Sequence, residues 1–425
     1  MKRYLSVLVA LLLTATMVAP TAMAEGDVVI TLLHGKVEIA PALQAYADAY
    51  SAKTPGVTVK IESVGGGNES WSTVLAAKAA QKDVPTMFNI DGYGDYLYWK
   101  DYIAPIEGAT WAEDTDYELT VDGQVYGFPV AIEGYGLGYN AELLAKAGID
   151  PATLTTFSAL QAAFEKLDGM KEELGIESVS DFGASVAGGM TGKTGNQLFS
   201  VYFGAGRDIG DKSLVEKFNA GEVDKDRLTN FANYVKLLAD HSEYAYMTTG
   251  NYDDELNRFV SRKCVFINEG NWIDPSLKAK NIDFEYGYIS TPIDDTMAYT
   301  GLYAFAPAWY AISSTATPEE QQAAKDFLNS LVYTPEGQDY MVNQAGMIAA
   351  FKNVKLSPAG GLSKYLYEAI QASNTYPFLF GYMPAGTGKT ILCNVFELFA
   401  QDTSGDALTN FVNDIAAVST DIATR

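Results

Sequence analysis

Histidine and cysteine are scarce in this chain of 425 residues, which contains two of each. The histidines, His34 and His241, are far apart, so no histidine–cysteine spacing predicts a zinc site and no Ser-His-Asp set is expected. Two cysteines, Cys264 and Cys393, cannot form a disulfide framework, and two free thiols or a single bridge are both open. We expect neither a metal nor a cofactor.

Basic residues are also few, since 29 lysines and arginines stand against 53 aspartates and glutamates and the net charge is −24. Phosphate binding needs clustered basic side chains, so this balance disfavours nucleic acid and anionic membranes as partners. Residues 386–390 resemble the end of a phosphate-binding loop, but Met383 occupies the place of that motif's first glycine. We expect an ordinary glycine-rich loop there, and we expect Lys389→Ala to matter little.

The N-terminal segment has the composition of an export signal. Lys2 and Arg3 precede an apolar run over residues 5–18, and Ala24 ends a small-residue cleavage site. The run is too short for a transmembrane span, so we predict a signal peptide over residues 1–24. No cysteine lies directly after the run at the predicted cleavage site, so a lipid anchor is not expected. The predicted location is the periplasm, with secretion as the alternative.

Strand-like and helix-like segments alternate over the following part of the chain. Apolar residues change between the spacing of a strand and that of a helix in this order: 28–33 (strand), 43–50 (helix), 57–64 (strand), 71–81 (helix) and 86–90 (strand). This alternation predicts an α/β fold with a mainly parallel sheet flanked by helices. Ligands of such sheets bind beyond the carboxyl ends of the strands, so we expect the site near residues 34–38, 65–71 and 91–95.

Three ordered segments carry a resemblance to one protein family. They form a strand, a second strand and a helix end, at residues 124–129, 136–140 and 147–149. In this order they are similar to the maltose-binding-protein-like, carbohydrate-binding subunits of bacterial ABC importers (family 1 solute-binding proteins). Residues 85–88 match the family's third strand, except that Thr86 replaces the usual aspartate. The resemblance runs from about Val28 to the C-terminus and is thinnest over residues 174–252.

The resemblance implies a two-lobe periplasmic-binding-protein fold of class II, in which each lobe is a mainly parallel sheet flanked by helices. The chain would cross between the lobes near Glu133, Thr291 and Val332. The predicted lobes are 25–132 with 293–332 at the N-terminal side, and 133–292 with 333–425 at the C-terminal side. A mature length of roughly 400 residues suits two domains.

The resemblance also implies a function. The chain would be the exported substrate-binding subunit of an ABC transporter, with no enzymatic activity of its own. It would capture a mono- or oligosaccharide between the lobes, close by a hinge motion at the crossings and dock on the transmembrane permease subunits. We expect a monomer.

Acidic and aromatic residues occur together at several glycine-containing turns, such as 133–135 and 269–272. Sugar recognition uses this combination, because aromatic rings cover the apolar face of a pyranose while carboxylates and amides bind its hydroxyls. Trp272 matches the family's stacking tryptophan and Glu133 matches its hinge-strand carboxylate, with a core tryptophan and a solvated turn as the alternatives. The predicted ligand-binding residues are Lys36, Glu38, Asp91, Tyr93, Glu133, Asn196, Trp272 and Tyr382.

Other interpretations stay open from the sequence alone. Asp91 could cap the turn that follows it, and Lys36 with Glu38 could form a solvated helix start. The ligand could be a polyol, a polyamine or ferric ion, although related iron-binding proteins usually use adjacent tyrosines and this chain has no Tyr-Tyr pair. Paired carboxylates could also hydrolyse glycosides, but their geometry is not readable from sequence.

Overall fold

The computed structural model describes residues 27–65 and 70–424. The predicted signal peptide and the turn residues Gly67, Asn68 and Glu69 lie outside these ranges. Among the helices of the described ranges, none is both long enough and apolar enough to cross a membrane.

The strands form where β-branched and aromatic residues are concentrated, as in the sequences VVITLLH and AWYAIS. In chain order, the strands of the described residues are β1 (Val28–His34), β2 (Val57–Ser63), β3 (Met87–Asp91), β4 (Ile103–Ala104), β5 (Leu119–Val121), β6 (Gln124–Pro129), β7 (Glu133–Tyr135), β8 (Leu137–Asn140), β9 (Ser180–Asp181), β10 (Phe266–Ile267), β11 (Tyr286–Ile289), β12 (Leu302–Phe305), β13 (Ala308–Ser313) and β14 (Thr375–Pro377).

Several helices begin at side-chain caps that the sequence supplies. Thr317 and Glu320 form a reciprocal capping box at one of them, as their spacing predicts. The α-helices of the described residues are α1 (Ala40–Lys53), α2 (Trp71–Ala80), α3 (Gly92–Trp99), α4 (Ala141–Lys146), α5 (Phe157–Gly169), α6 (Lys171–Leu174), α7 (Ser200–Gly204), α8 (Ser213–Asn219), α9 (Lys225–Asp240), α10 (Tyr244–Thr249), α11 (Tyr252–Val260), α12 (Asp274–Ala279), α13 (Pro318–Tyr333), α14 (Pro335–Asp339), α15 (Gly361–Gln371), α16 (Cys393–Gln401) and α17 (Ala407–Ile422).

The first sheet has a parallel part that is completed by a returning strand. β1 pairs in parallel with β2 and with β3, and the strand order is β2-β1-β3-β13-β6-β5. β13 runs antiparallel to both β3 and β6. The sheet is therefore mixed rather than mainly parallel, because the chain returns to it in the opposite direction. The carboxyl ends of β1 and β3 lie next to each other, as the alternating pattern predicts.

A smaller second sheet and a connecting sheet complete the architecture. The second sheet has the order β11-β8-β10-β9 and is also mixed, since β9 is parallel to β10 whereas β8 is antiparallel to β10 and β11. A three-stranded sheet, β14-β12-β7, lies on the chain path between the two. β7 connects β6 to β8, and β12 connects β11 to β13. We call it the hinge sheet, since we propose that two crossings between the lobes run through it.

Contacts near the second predicted crossing show which lobe this part of the chain packs on. Phe157 donates its N–H to the carbonyl of Asp294 (3.1 Å), and Tyr299 donates its N–H to the carbonyl of Thr155 (2.7 Å). Residues 294–299 therefore pack on the second lobe. From these contacts we propose a crossing through β12, whereas the sequence predicts one near Thr291.

We also propose a position for the third crossing that is later in the chain than the predicted one near Val332. Val332 is buried inside α13, and the following Thr334 caps α14 instead of marking a crossing. Further on, Ile348 pairs with Ile132, and Lys352 donates its N–H to a first-lobe carbonyl. The assignment of residues to lobes stays a prediction, and we propose that the first lobe extends to about Lys352.

Candidate functional site

A cleft of about 550 Å³ lies between the lobes, where β1 and β3 end and α2 begins. This is the position that the strand order predicts for a ligand site, and the volume is within the range of small-molecule sites. The first lobe contributes Lys36, Glu38, Trp71 and Asp91 to the lining. The hinge strand β7 adds Glu133, and the second lobe adds residues from the segment 186–197 together with Glu269, Trp272 and Lys389.

Lys36 is held between two carboxylates on the first-lobe wall. Its ammonium contacts the carboxylate of Glu133 and donates a hydrogen bond to Glu38 at 3.3 Å. Burial opposes the charge on Lys36, but the attraction of Glu133 and Glu38 outweighs burial and raises the pKa of Lys36. Burial raises the pKa of Glu133, against the pull of Lys36. All three side chains are at most 13% exposed, so they form one fixed polar wall and not a solvated helix start.

His34 supports this wall from within the lobe. Its Nδ1 accepts the N–H of Lys36 at 3.2 Å, and its Nε2 lies 2.6 Å from the hydroxyl oxygen of Ser63. Burial, and then the charge of Lys36, lower the pKa of His34 to about 4. The ring is therefore neutral at pH 7, and with Nδ1 accepting, its proton lies on Nε2 and is donated to Ser63. His34 fixes the backbone that carries Lys36.

Asp91, at the end of β3, joins the two lobes. Its carboxylate accepts a hydrogen bond from Lys389 of the second lobe at 2.7 Å and one from Asn89 at 2.6 Å. Burial works against the ionised form of Asp91, but Lys389 outweighs it and lowers the pKa. Burial, and then the charge of Asp91, raise the pKa of Asp95 to about 7. Asp91 makes no side-chain cap to α3, so its side chain serves the lobe contact.

The lobe backbones meet beside this ion pair. Gly92 has a φ of 84°, and a Cβ added to it would lie 2.2 Å from the Cα of Gly381 in the second lobe. Tyr93 follows Gly92 and stacks on a first-lobe tyrosine, whereas Tyr382 follows Gly381 and packs on Phe305. Neither Tyr93 nor Tyr382, both predicted to bind ligand, is among the residues that line the cleft.

Trp272 lies on a short 3-10 turn (Asn271–Ile273) that follows β10. Its ring covers Gly270, where an added Cβ would lie 1.9 Å from Cζ3 of the indole. Burial raises the pKa of Glu269, although Lys193 and then hydrogen bonds from Gly270 and Trp272 act in the opposite direction. Trp272 is partly exposed and lines the cleft, so its neighbours hold the ring while leaving part of it accessible.

Two π-helical turns, Lys193–Leu198 and Thr387–Leu392, form the second-lobe wall. They approach so closely that a Cβ on Gly195 would lie 2.0 Å from the carbonyl oxygen of Gly388. Such turns are rare and occur frequently at functional sites. They carry Lys193, Asn196 and Lys389 into the lining. The segment around Lys389, predicted to be an ordinary loop, is therefore part of the cleft.

The structure brings six of the eight predicted residues into one lining: Lys36, Glu38, Asp91, Glu133, Asn196 and Trp272. Their roles in binding stay predictions. Sequence reasoning did not select Lys193, Gln197 or Lys389, which also line the cleft. The sequence feature that could have indicated these three residues is the high glycine content of residues 188–195 and 386–388, since π turns packed this closely require glycine.

Comparison with known proteins gives a family. The sequence profile described as bacterial extracellular solute-binding protein matches residues 45–364. A Pyrococcus horikoshii protein, described as an uncharacterized ABC transporter extracellular-binding protein, is 25% identical over 356 residues, covering 79% of this chain and 74% of that protein. The multiple sugar-binding protein of Streptococcus mutans is 23% identical over 278 residues, covering 63% of each chain.

A solved structure shares the fold. The solute-binding protein RafE in complex with raffinose gives a TM-score of 0.75 at 18% identity, covering 93% of this chain and 100% of that chain. This likeness confirms the two-lobe α/β fold class expected from the sequence. Together with a profile match over most of the chain, it shows that the protein belongs to the bacterial extracellular solute-binding proteins, as its ordered motifs indicated.

Proposed function

We propose that this protein captures a mono- or oligosaccharide in the cleft between its lobes and delivers it to the permease of an ABC transporter. The observation that carries the proposal is the pairing of an accessible tryptophan ring with buried acceptors. Asn89 and Gln197 are among the lining residues, and the side-chain oxygen of each is buried without a hydrogen-bond partner among the described residues. A sugar offers hydroxyl donors to such acceptors and a C–H face to Trp272.

The relatives support a carbohydrate as the solute. One of them is described as a multiple sugar-binding protein, and the similar solved structure contains raffinose. The family description is that of extracellular proteins, which agrees with a periplasmic protein. We propose that it acts as a monomer, closes on its ligand at the hinge sheet and docks in the closed form.

The arrangement of carboxylates favours binding over hydrolysis. Glycosidases use one carboxyl group as an acid and a second one as a base or nucleophile. Here Glu38 and Glu133 both contact Lys36, and Asp91 contacts Lys389. Carboxylates that lysines hold in place are suited to accept hydrogen bonds from ligand hydroxyls. We propose that the protein has no catalytic activity of its own.

The experiment is a thermal-shift screen of the mature protein against mono- and oligosaccharides, with spermidine, ATP and ferric citrate as non-sugar ligands. A ligand at about 100 times its Kd adds about 2.7 kcal/mol of stability, so we expect one sugar series to raise the Tm. The hit is then repeated with Trp272→Ala, which should weaken binding by about 1–3 kcal/mol and leave the unliganded Tm unchanged. Shifts with a non-sugar ligand alone would overturn the proposal.

A further inference from the structure

We propose that the cleft is selective by charge: it accepts neutral and amine-bearing sugars and excludes acidic ones, and Glu269 on its floor enforces this choice. The inference rests on the proposed function and specifies the class of sugar. The observation that supports it is the pairing of the charged side chains that line the cleft.

Each lysine that lines the cleft already has a carboxylate partner. Lys36 contacts both Glu133 and Glu38. Lys389 lies 2.7 Å from Asp91, and Lys193 contacts the buried carboxylate of Glu255. An acidic ligand needs a cation whose charge is not already balanced. Each ammonium keeps N–H groups that could bind a neutral hydroxyl, but the positive charge of all three lysines is already balanced by at least one carboxylate, so an anion placed there would meet no net positive charge.

The carboxyl group of Glu269 differs from the three lysine side chains in how it is paired. Glu269 is 3% exposed, lies on the lining and accepts a long hydrogen bond of 3.3 Å from the N–H of Gly270. Within the described ranges, no lysine or arginine forms an ion pair with Glu269, since the ammonium of Lys193 contacts Glu255 instead. One lysine thus faces two buried carboxyl groups on the floor of the cleft.

Protonation of Glu255 or Glu269 does not make Lys193 available to an acidic ligand. Burial raises the pKa of both Glu255 and Glu269, against the charge of Lys193. With both carboxyl groups ionised, the trio with Lys193 carries a net charge of −1, and with one proton shared between them the trio is neutral. Neither state leaves Lys193 as an uncompensated cation that an acidic ligand could use.

The energetic consequence differs for the three classes of sugar. A carboxylate or phosphate placed here would be a buried charge without a cationic partner in either protonation state, which is strongly unfavourable. A hydroxyl can donate to Glu269 at no such cost. A protonated amine can donate as well and also supplies the positive charge that the floor lacks.

The test uses the best-binding neutral sugar from the carbohydrate panel with its C6-oxidised and C2-amino counterparts, and isothermal titration as the readout. For a glucoside these are the glucuronic acid and glucosamine forms, and for a galactoside the galacturonic acid and galactosamine forms. Titrations are run in about 0.5 M salt, where the Debye length is roughly 4 Å, so that the acidic protein surface is screened while the buried floor is not.

We expect the acidic form to bind at least about tenfold more weakly than the neutral form, and the amino form to bind as tightly or more tightly. Glu269→Gln should reduce the ratio of the affinity for the neutral sugar to the affinity for the acidic sugar. Glu173→Gln removes one exposed charge outside the lining and should leave the ratio of the two affinities unchanged. If Glu269→Gln does not fold, Glu38→Gln serves instead, because it frees part of the bonding capacity of Lys36.

Acidic and neutral forms that bind equally well to the unmodified protein would overturn the inference and leave the proposed function intact. An unchanged ratio in the glutamine variants would also overturn it, because the discrimination would then arise elsewhere. Failure of every sugar to bind, with binding of a non-sugar solute, would instead overturn the proposed function and this inference with it.

Discussion

The ammonium of Lys389 in the second lobe lies 2.7 Å from the carboxylate of Asp91 in the first lobe. The same ammonium lies 5.9 Å from the ring centroid of Trp71, at the start of α2. Lys389 therefore contacts the other lobe at two points along the cleft. Since these contacts join residues of different lobes, they exist only while the lobes are close together, and they favour the closed arrangement.

Breaking this ion pair should weaken ligand binding. We expect Asp91→Asn and Lys389→Met each to lower the affinity for the bound sugar, with a coupling of about 0.5–3 kcal/mol between them in a double-mutant cycle. Small-angle scattering should show a larger open fraction in each variant. This replaces the sequence-based expectation that Lys389 is dispensable.

The matched control is the pair Lys236–Asp240 on α9, which is about half exposed and remote from the cleft lining. An exposed pair at this spacing contributes roughly 0.3–0.5 kcal/mol to stability, and Lys236→Met should leave ligand affinity unchanged. Additive effects of the Asp91 and Lys389 variants on affinity would show that the contact does not support closure.

Gly270→Ala should displace the ring of Trp272. The backbone at Gly270 has a φ of −98°, which alanine adopts without strain, so the effect is the steric contact of the new Cβ with the indole. We expect a loss of affinity approaching that of Trp272→Ala, at about 1–3 kcal/mol, measured by titration. Gly210→Ala, where nothing lies within 4 Å of an added Cβ, should bind normally. Unchanged affinity in Gly270→Ala would mean that ring position is unimportant.

Asp95 should make stability depend on pH. Its pKa is about 7 in the folded protein and 3.8 when unperturbed, so between these values the folded protein holds a proton that the unfolded chain has released. Stability from this group therefore falls as pH rises from about 4 to 7 and is level above that. Asp95→Asn should gain stability over this interval, by about 1–2 kcal/mol at pH 8 after allowance for partial exposure to water.

Urea unfolding at about pH 4.5, 6 and 8 measures this effect. Asparagine keeps the oxygen that accepts the N–H of Asp91 at 3.0 Å, so the helix start is preserved. Asp48→Asn, on the exposed face of α1, controls for the loss of one charge. A difference between Asp95→Asn and the parent protein that is constant with pH would be incompatible with the assigned pKa.

Removing the ammonium of Lys193 should destabilise the second lobe. Its side chain is 4% exposed and that of Glu255 is fully buried, so Lys193→Met leaves a buried carboxylate without its partner. We expect a loss of about 3–5 kcal/mol in urea unfolding, and partial recovery in the double variant Lys193→Met/Glu255→Met. Lys146→Met, in an exposed pair with Glu142, should cost far less. Equal losses in the single and double variants would exclude charge burial as the cause.

The site residues that could be predicted from the sequence lie at the carboxyl ends of strands, which hydrophobic spacing identifies. Asp91 is the last residue of β3 and Lys36 lies just after β1, and both positions are predicted by hydrophobic spacing together with the rule that ligands bind at strand ends. Lys389 could not be found in this way. Its partner is 298 residues away in sequence, and no periodicity links a π turn of one lobe to a strand of the other.

Tertiary contacts also decide which neighbours of Asp91 reach the cleft. Tyr93 lies two residues after Asp91 and was predicted to bind ligand, but its ring stacks on Tyr96 and it does not line the cleft. The crossing predicted near Val332 falls at a position buried inside α13, and Thr334 then caps α14. Where the chain passes between lobes depends on tertiary contacts, which local sequence patterns do not encode.

The central position of β13 in the first sheet has a consequence for synthesis and export. β13 lies between β3 and β6, so until it is added the sheet consists of two separate parts, β2-β1-β3 and β6-β5. The strand ends at residue 313 of 425. A nascent chain therefore cannot complete its N-terminal lobe until most of it has left the ribosome, which lengthens the interval in which an export machinery can accept it unfolded.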